Sequence, residues 1–340
     1  MSGKTWFSTA FGFLEEGRSY DQVRSNFQYD ADTFMMTSVP SGQQFYIGPF
    51  ETPSIAELRA RLPPPPPDGT QGLKIDEIVG DIRFMHSCEK YRGAVIQVAS
   101  QFNALEMVGP GVSPEQGITR YLQDSTQGPA CALSCPAATV YRNYIHGPGM
   151  KGQGGGESHQ INGLRDVEKV VGPQKYWCMK NGYAMPLNGA SMGDLGELIT
   201  KKGLREKVIE AVRVSIHWDT QVGIKGPTEQ RVCQVFCSAL PCAYCHVTRN
   251  RQDWAVFASA VLDSAYEATF AAAAIVSGQR GGQRVTVLLT RLGLGAFGNS
   301  PAWVRPAIDK ACAKYASYPL DVHIVKFGSN PHDIMKASTK

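Results

Sequence analysis

This sequence predicts a three-layer α/β/α fold around a mixed, largely parallel sheet, preceded by an N-terminal extension. Three observations carry the prediction. Beyond residue 71, short apolar runs alternate with longer stretches of helical periodicity, the pattern of repeated β-α units. The short runs are rich in Val and Ile and apolar on both faces, as strands covered by helices on both sides are. The chain has 340 residues, 43% hydrophobic and 19% charged. That is long for one α/β domain, short for two, and enough to fill one large core.

Residues 1–62 mix aromatics with polar turns. A strand is expected over 44–48 and a short helix over 53–61, with Thr52 as its cap. Five prolines at 63–67, then Asp68-Gly69, can be neither helix nor central strand and read as a stiff surface connector. The extension is therefore drawn as residues 1–70, packed on a main domain of residues 71–340. There, strands are expected over 75–79, 94–99, 212–216, 232–239, 285–290 and 322–326. Helices are expected over 129–143, 203–212, 251–276 and 301–316. The third helix carries Trp254, Phe257, Ala258, Val261, Leu262 and Ala265 at helical spacing, with Gly278 as its stop. The glycine-rich segment 147–156 lacks the Gly-Lys-Ser/Thr ending of a P-loop. It reads as a flexible surface loop, with a lid as the alternative.

The formal net charge is +4. That suits a small anionic ligand and is too weak to indicate nucleic acid. The longest uninterrupted apolar run, 270–276, is far too short to span a bilayer, so no membrane partner is expected. The start, Met1 to Phe7, lacks the basic-then-apolar layout of a signal peptide, and a cytosolic or nuclear protein is expected. Nine cysteines, an odd number scattered through apolar stretches, read as reduced core residues. Cys242-Ala243-Tyr244-Cys245-His246 matches haem-attachment and redox-dithiol spacing. Lying between an apolar strand and the long helix, it reads as packing instead. Neither a metal nor a cofactor is expected.

Two segments carry candidate chemistry. Arg291-Leu292-Gly293-Leu294-Gly295-Ala296-Phe297-Gly298-Asn299-Ser300-Pro301 joins an apolar strand to a helix that Ser300 would cap and Pro301 would begin. Such a turn offers backbone N–H groups and a helix dipole to an anion, and its glycines allow close approach of phosphate. In the second segment, strand 94–99 contains Gln97 and opens into Ser100, Gln101 and Asn103, then an isolated Glu106. Polar residues just past a buried strand usually line a site. Glu115, Asp124 and Gln127 follow on irregular chain. Grouped carboxylates suit glycosidic chemistry, where one moves a proton and another stabilises positive charge at the anomeric carbon.

These residues resemble a known family. Ile78-Val79-Gly80-Asp81-Ile82 looks like the adenine-binding strand end of macrodomains. Segment 97–107 looks like their Asn-bearing ribose loop, and 293–299 like their second phosphate loop, Gly-x-Gly-aliphatic-Phe-Gly. The finer likeness is to a divergent, poly(ADP-ribose)-glycohydrolase-like branch of arginine-specific ADP-ribosyl hydrolases. It is carried by 98–107, 126–132, Phe11-Gly12-Phe13-Leu14-Glu15 and 50–59, and spans nearly the whole chain.

The resemblance implies a macrodomain-like fold and roles for each segment. Asp81 would accept from the adenine amino group, with Ile82 beside the ring. Gly293, Gly295, Ala296, Gly298 and Asn299 would hold the diphosphate, with Phe297 against the distal ribose and Asn103 near the scissile bond. Gln97, Ser100, Gln101 and Gln127 would complete the ligand-binding set. Leu105-Glu106-Met107 and Gly109-Pro110-Gly111 stand where common macrodomains carry three consecutive glycines, which points to a carboxylate-driven reaction. On this view Asp124 or Glu115 orients a guanidinium and activates water, while Glu106 supports the ribose. The expected substrate is ADP-ribose on protein arginine, with a ubiquitin-like protein among the candidates. The alternatives are a non-enzymatic ADP-ribose reader and a hydrolase of another ADP-ribose linkage.

Overall fold

The computed structural model describes residues 5–65, 72–224, 228–248 and 250–328. The last two prolines of the 63–67 run and the proposed boundary at 70/71 lie outside them. A seven-stranded sheet forms the centre: β1 (Phe50–Glu51), β2 (Lys74–Gly80), β3 (Val95–Ala99), β4 (Ser215–Gln221), β5 (Arg231–Cys237), β6 (Val285–Leu289) and β7 (Leu320–Phe327), in the order β1-β4-β5-β3-β6-β7-β2. The five strands from β5 to β2 run parallel, whereas β4 pairs antiparallel with both β5 and β1. The sheet is mixed, as the alternation of elements predicts.

Strand periodicity sorts the core into two faces. Val95, Val235, Cys237, Val287 and Leu289 point to one side. There they meet the buried helix Arg251–Gln279, with helices Ser191–Lys201, Arg205–Ala211 and Pro301–Lys314 around it. Ile96, Val98, Val232, Phe236 and Leu288 point to the other side, toward Ile82, Met85, Cys131 and Ala138. Those belong to helices Ile82–Ser87, Gln127–Ser134 and Pro136–Val140. Three layers result.

Several boundaries differ from expectation for local reasons. The helix expected over 129–143 is three pieces: Gln127–Ser134, Pro136–Val140 and a π-helical turn, Tyr141–Ile145. Pro136 has no N–H to continue the ladder, and Cys135 before it is non-helical at φ −123°, ψ 66°. The early helix is Ile55–Ala60, and its cap is Ser54 instead of Thr52. Ser54 Oγ accepts from Glu57 N at 3.2 Å while the Glu57 carboxylate accepts from Ser54 N at 2.8 Å, a reciprocal capping box. The long helix passes through Gly278 to Gln279. A Cβ at Gly278 would stand 2.8 Å from Pro63, whose carbonyl also accepts from the Tyr318 hydroxyl. The proline run therefore starts out docked on the helical layer.

The extension has more structure than one strand and one helix. Helices Trp6–Phe11 and Tyr20–Arg24 each begin with a capping box, and Phe27–Asp30, Met35–Ser38 and Gln43–Tyr46 form a three-stranded antiparallel sheet. Phe7, Phe11, Phe27 and Phe45 pack edge-on with Leu105, Met107, Ile118 and Tyr121 in one apolar cluster. The extension thus supports the chain segment that carries Glu106 and gives the central sheet its edge strand β1. Among the described residues, no helix is long and apolar enough to cross a membrane.

Candidate functional site

The carboxyl ends of the parallel strands open into one cleft of about 380 Å³. Gly80 ends β2 and Asp81 follows it, Phe327 ends β7, Leu289 ends β6 with Thr290 next, Ala99 ends β3 with Ser100 next, and Ala239 follows β5. This is the edge at which open α/β sheets bind ligands, because helix starts and loop N–H groups converge there.

One end of the cleft is made by Asp81 and Ile82. Asp81 caps the helix that Ile82 begins, its Oδ1 accepting from Arg83 N at 2.8 Å. Across from it stands the glycine turn. Gly293 has φ +78°, and a Cβ there would lie 2.7 Å from the Ala239 Cβ and 2.9 Å from Asn299 Nδ2, so a side chain is excluded on both counts. Gly295 differs, with nothing within 4 Å of an added Cβ. Asn299 stands behind the turn, its backbone N–H donating to Gly293 O at 2.8 Å and its Nδ2 to Leu240 O at 2.8 Å. Gly298 N closes the turn on Gly295 O at 3.0 Å. Gly293, Gly295, Ala296 and Phe297 line the cleft, while Gly298 and Asn299 brace it. Ser300 and Pro301 cap and begin the following helix as expected.

The floor is fastened by Gln127. Its Oε1 accepts from Ala99 N at 2.8 Å and its Nε2 donates to Gln97 O at 2.7 Å, so the side chain pairs with the end of β3 as a strand would. Gly128 beside it is so close to β3 that a Cβ would stand 1.9 Å from Ala99 O. Gln97 itself points into the opposite layer, its Nε2 donating to Thr269 Oγ1 at 3.2 Å, and it does not face the cleft. Ser100 and Gln101 do, Gln101 Oε1 accepting from Met107 N at 2.8 Å. Asn103 is fully buried and holds loops together: Nδ2 donates to Gln160 Oε1 at 2.9 Å and Oδ1 accepts from Leu105 N at 3.1 Å. It does not line the cleft.

The three acids separate. Glu106 and Asp124 line the cleft, and Glu115 does not. Glu115 Oε1 accepts from Gly155 N at 2.6 Å, tying the glycine-rich segment to the loop that carries it. That segment is also held by Tyr20, whose hydroxyl donates to Asn143 O and accepts from Gly154 N, and by buried Gln153, which donates to Asn103 O at 3.0 Å. A segment so anchored is a scaffold, not a free surface loop. Asp124 is half-buried, with Oδ1 accepting from Thr126 N at 2.8 Å. The Glu106 side chain is fully buried on the protein side of the cleft and faces Arg142 Nη2 at 3.3 Å. Burial pushes its carboxyl up to about 7, against the pull of Arg142 and the Tyr121 hydroxyl.

The sequence reading did not single out several lining residues. Tyr183, from the hairpin Trp177–Lys180/Tyr183–Pro186, and Tyr244 stand 5.4 Å and 5.5 Å from the Phe297 ring and build an aromatic wall with it. In the sequence Arg291 stands out only as the start of the glycine segment. It lines the cleft and pairs with Glu77, which also pairs with Lys326. Phe327 is 76% exposed, an apolar ring at the Asp81 end of the cleft. His86 and His146 are packed away from the cleft. His86 is fully buried, with Nδ1 against Ile82 O at 2.7 Å, and His146 packs on Phe50. All nine cysteines are free thiols. Cys242 and Cys245 line a second cavity of about 330 Å³ with His246, Arg251 and Trp254. Among the described residues, no group of three His, Cys, Asp or Glu is arranged to hold a metal ion.

No family model matches the chain. No curated protein matches it either. Among solved structures, the chain is similar to poly(ADP-ribose) glycohydrolase from Thermomonospora curvata bound to the inhibitor ADP-HPD, with 12% identity and a TM-score of 0.35 over 94% of each chain. It is similar also to a point mutant of that enzyme, with 11% identity and a TM-score of 0.36 over 94% of each chain.

Proposed function

We propose that this protein binds ADP-ribose in the cleft and hydrolyses the N-glycosidic bond that joins it to an arginine side chain of a protein. The observation that carries the proposal is the placement of Glu106, a buried carboxyl that titrates near neutral pH, in the same cleft as the Gly293–Phe297 turn. A group that exchanges its proton near the working pH suits general acid–base chemistry. A glycine turn leading into a capped helix suits a diphosphate.

The residues would divide the ligand between them. Asp81, Ile82 and Phe327 would take the adenine end, by a hydrogen bond and apolar contact. The N–H groups of the glycine turn would take the diphosphate, with the Arg291 charge alongside. Phe297, Tyr183 and Tyr244 would wall the distal ribose. Asp124 at the rim would meet the leaving guanidinium, which a carboxylate recognises by charge and bidentate hydrogen bonding. With its side chain turned out from behind the cleft wall, Glu106 would take a proton from the water that attacks the anomeric carbon, while the C–N bond breaks and its electron pair leaves with the guanidine nitrogen. Charge developing on the ribose would be met by the two carboxylates. With Glu115 outside the cleft, Glu106 and Asp124 are the acids on which the reaction rests.

The test compares release of ADP-ribose from arginine-, serine- and glutamate-linked proteins, a ubiquitin-like protein among the arginine-linked ones. The arginine linkage is expected to be cleaved, and Glu106→Gln to lower turnover by about 10²-fold or more while ADP-ribose still binds. Retention of all three modified proteins without turnover would replace the hydrolase by a non-enzymatic reader. Cleavage of another linkage alone would overturn the arginine assignment.

A further inference from the structure

The group behind Glu106 is an arginine with no access to solvent. Arg142 lies in the π-helical turn Tyr141–Ile145, and both its side chain and that of Glu106 are 0% exposed. Its Nε donates to Ala104 O at 2.8 Å, and Nη2 faces both Glu106 oxygens at 3.3 and 3.4 Å and Thr139 Oγ1 at 3.2 Å. The guanidinium carbon sits 3.9 Å from the Phe236 ring centroid. Nη1 is buried with no hydrogen-bond partner.

For stability alone this is a poor arrangement. Taking two charges out of water costs more than a loosely paired ion pair returns, and an orphaned buried donor adds to the cost. Apolar side chains of similar volume would pack here without that cost. The arrangement does control geometry. Ala104, the residue whose carbonyl Arg142 holds, has φ +59°, an unusual conformation for a residue with a Cβ, and two residues later the chain brings Glu106 into the cleft wall. One guanidinium thus grips both the strained backbone and the carboxylate. π-Helical turns of this kind recur at functional sites.

We propose that Arg142 is a positioning residue: through Ala104 O and the Glu106 carboxylate it fixes where and in which charge state Glu106 meets the substrate. The inference rests on the hydrolase reading above. Around the carboxyl, Arg142 is the one cation among the described residues, from the π-helical turn. Tyr121 faces it from the segment Thr119–Gln123 and Cys131 from the helix Gln127–Ser134, both with burial favouring their neutral forms. Behind Arg142 stand His217 and Cys135, whose burial likewise favours the neutral form. Removing the Arg142 charge therefore leaves the Tyr121 hydroxyl alone to favour ionised Glu106, and the carboxyl must hold its proton to higher pH.

The experiment follows the Glu106 carboxyl by NMR in 13C-glutamate-labelled protein, its signal identified by its loss in Glu106→Gln, together with the pH profile of ADP-ribose release. In Arg142→Met both midpoints should move up by about one pH unit or more, on the order of tenfold less ionised carboxylate at a given pH. Arg142→Lys keeps the charge but cannot hold Ala104 O and Glu106 at once. It should leave the midpoint within about half a unit and lower kcat by on the order of tenfold at unchanged KM. A folded Arg142→Met protein with an unmoved carboxyl titration overturns the proposal. So does an Arg142→Lys protein with wild-type kcat, which decides the matter if the methionine variant does not fold. If the unaltered protein releases no ADP-ribose from any linkage, it is the hydrolase reading that fails, and the carboxyl titration still reports on the pairing.

Discussion

Among single residues, burial decides more than charge. His86, His146 and His217 are all held below their ordinary range by burial, the first two to about 4. The unfolded chain takes up their protons near pH 6.5 and the native fold does so only lower, so stability is lost as pH falls from about 6.5 toward 4. Glu106 works in the opposite sense over part of that window. Its carboxyl is raised, so the stability it contributes is full below about 4.5 and is lost as pH rises through about 7. Three histidines outweigh one glutamate, each titrating group contributing at most about 1.4 kcal/mol per pH unit. The melting temperature should therefore fall between pH 6.5 and 4, and His146→Phe, which keeps the ring against Phe50, should make the fall shallower. An unchanged slope in that variant would show that His146 is not held neutral. None of this was legible in the sequence, because a histidine in a string of letters carries no burial. The acids show the same limit. Their spacing brought out Glu106, Glu115 and Asp124 together, and only the fold separates the two that face the cleft from Glu115, which caps a loop.

At the level of the element, turns and caps were the most readable features. The strand–glycine turn–helix unit at 285–314 was visible in the sequence, down to Ser300 as cap and Pro301 as first residue, because each of those residues acts on its immediate neighbours. The glycines in that unit are not equivalent, and this the sequence could not tell. Gly293 has a positive φ and no room for a Cβ, whereas Gly295 has open space. Gly293→Ala should cost about 1–3 kcal/mol in chemical denaturation and weaken ADP-ribose binding, while Gly295→Ala should leave stability within about 0.5 kcal/mol. Equal effects of the two substitutions would contradict the loop geometry. The helix at 129–143 shows where local reading runs out. Pro136 was visible, but the π-helical turn that carries Arg142 is set by tertiary contacts with Ala104, Glu106 and Phe236. The aromatic wall of Tyr183, Tyr244 and Phe297 joins segments more than fifty residues apart, so no local pattern announced it.

Over the whole molecule, the alternation of strands and helices was enough to predict the three layers and the mixed sheet. The N-terminal extension was harder, since its strands are short and its apolar residues are satisfied by a cluster shared with Leu105, Met107 and Tyr121. That shared cluster ties the extension to the loop that presents Glu106, and the parallel strands deliver the other parts of the cleft to the same edge. The central claim is that this edge is an ADP-ribose site, and calorimetric titration of the purified protein with free ADP-ribose tests it most directly. One-to-one binding is predicted. It should weaken about tenfold or more in Asp81→Ala, and be lost in Gly295→Glu, where the open space admits the side chain and its charge repels the diphosphate. Absence of binding at high ligand concentration, or binding that neither substitution alters, would contradict the account.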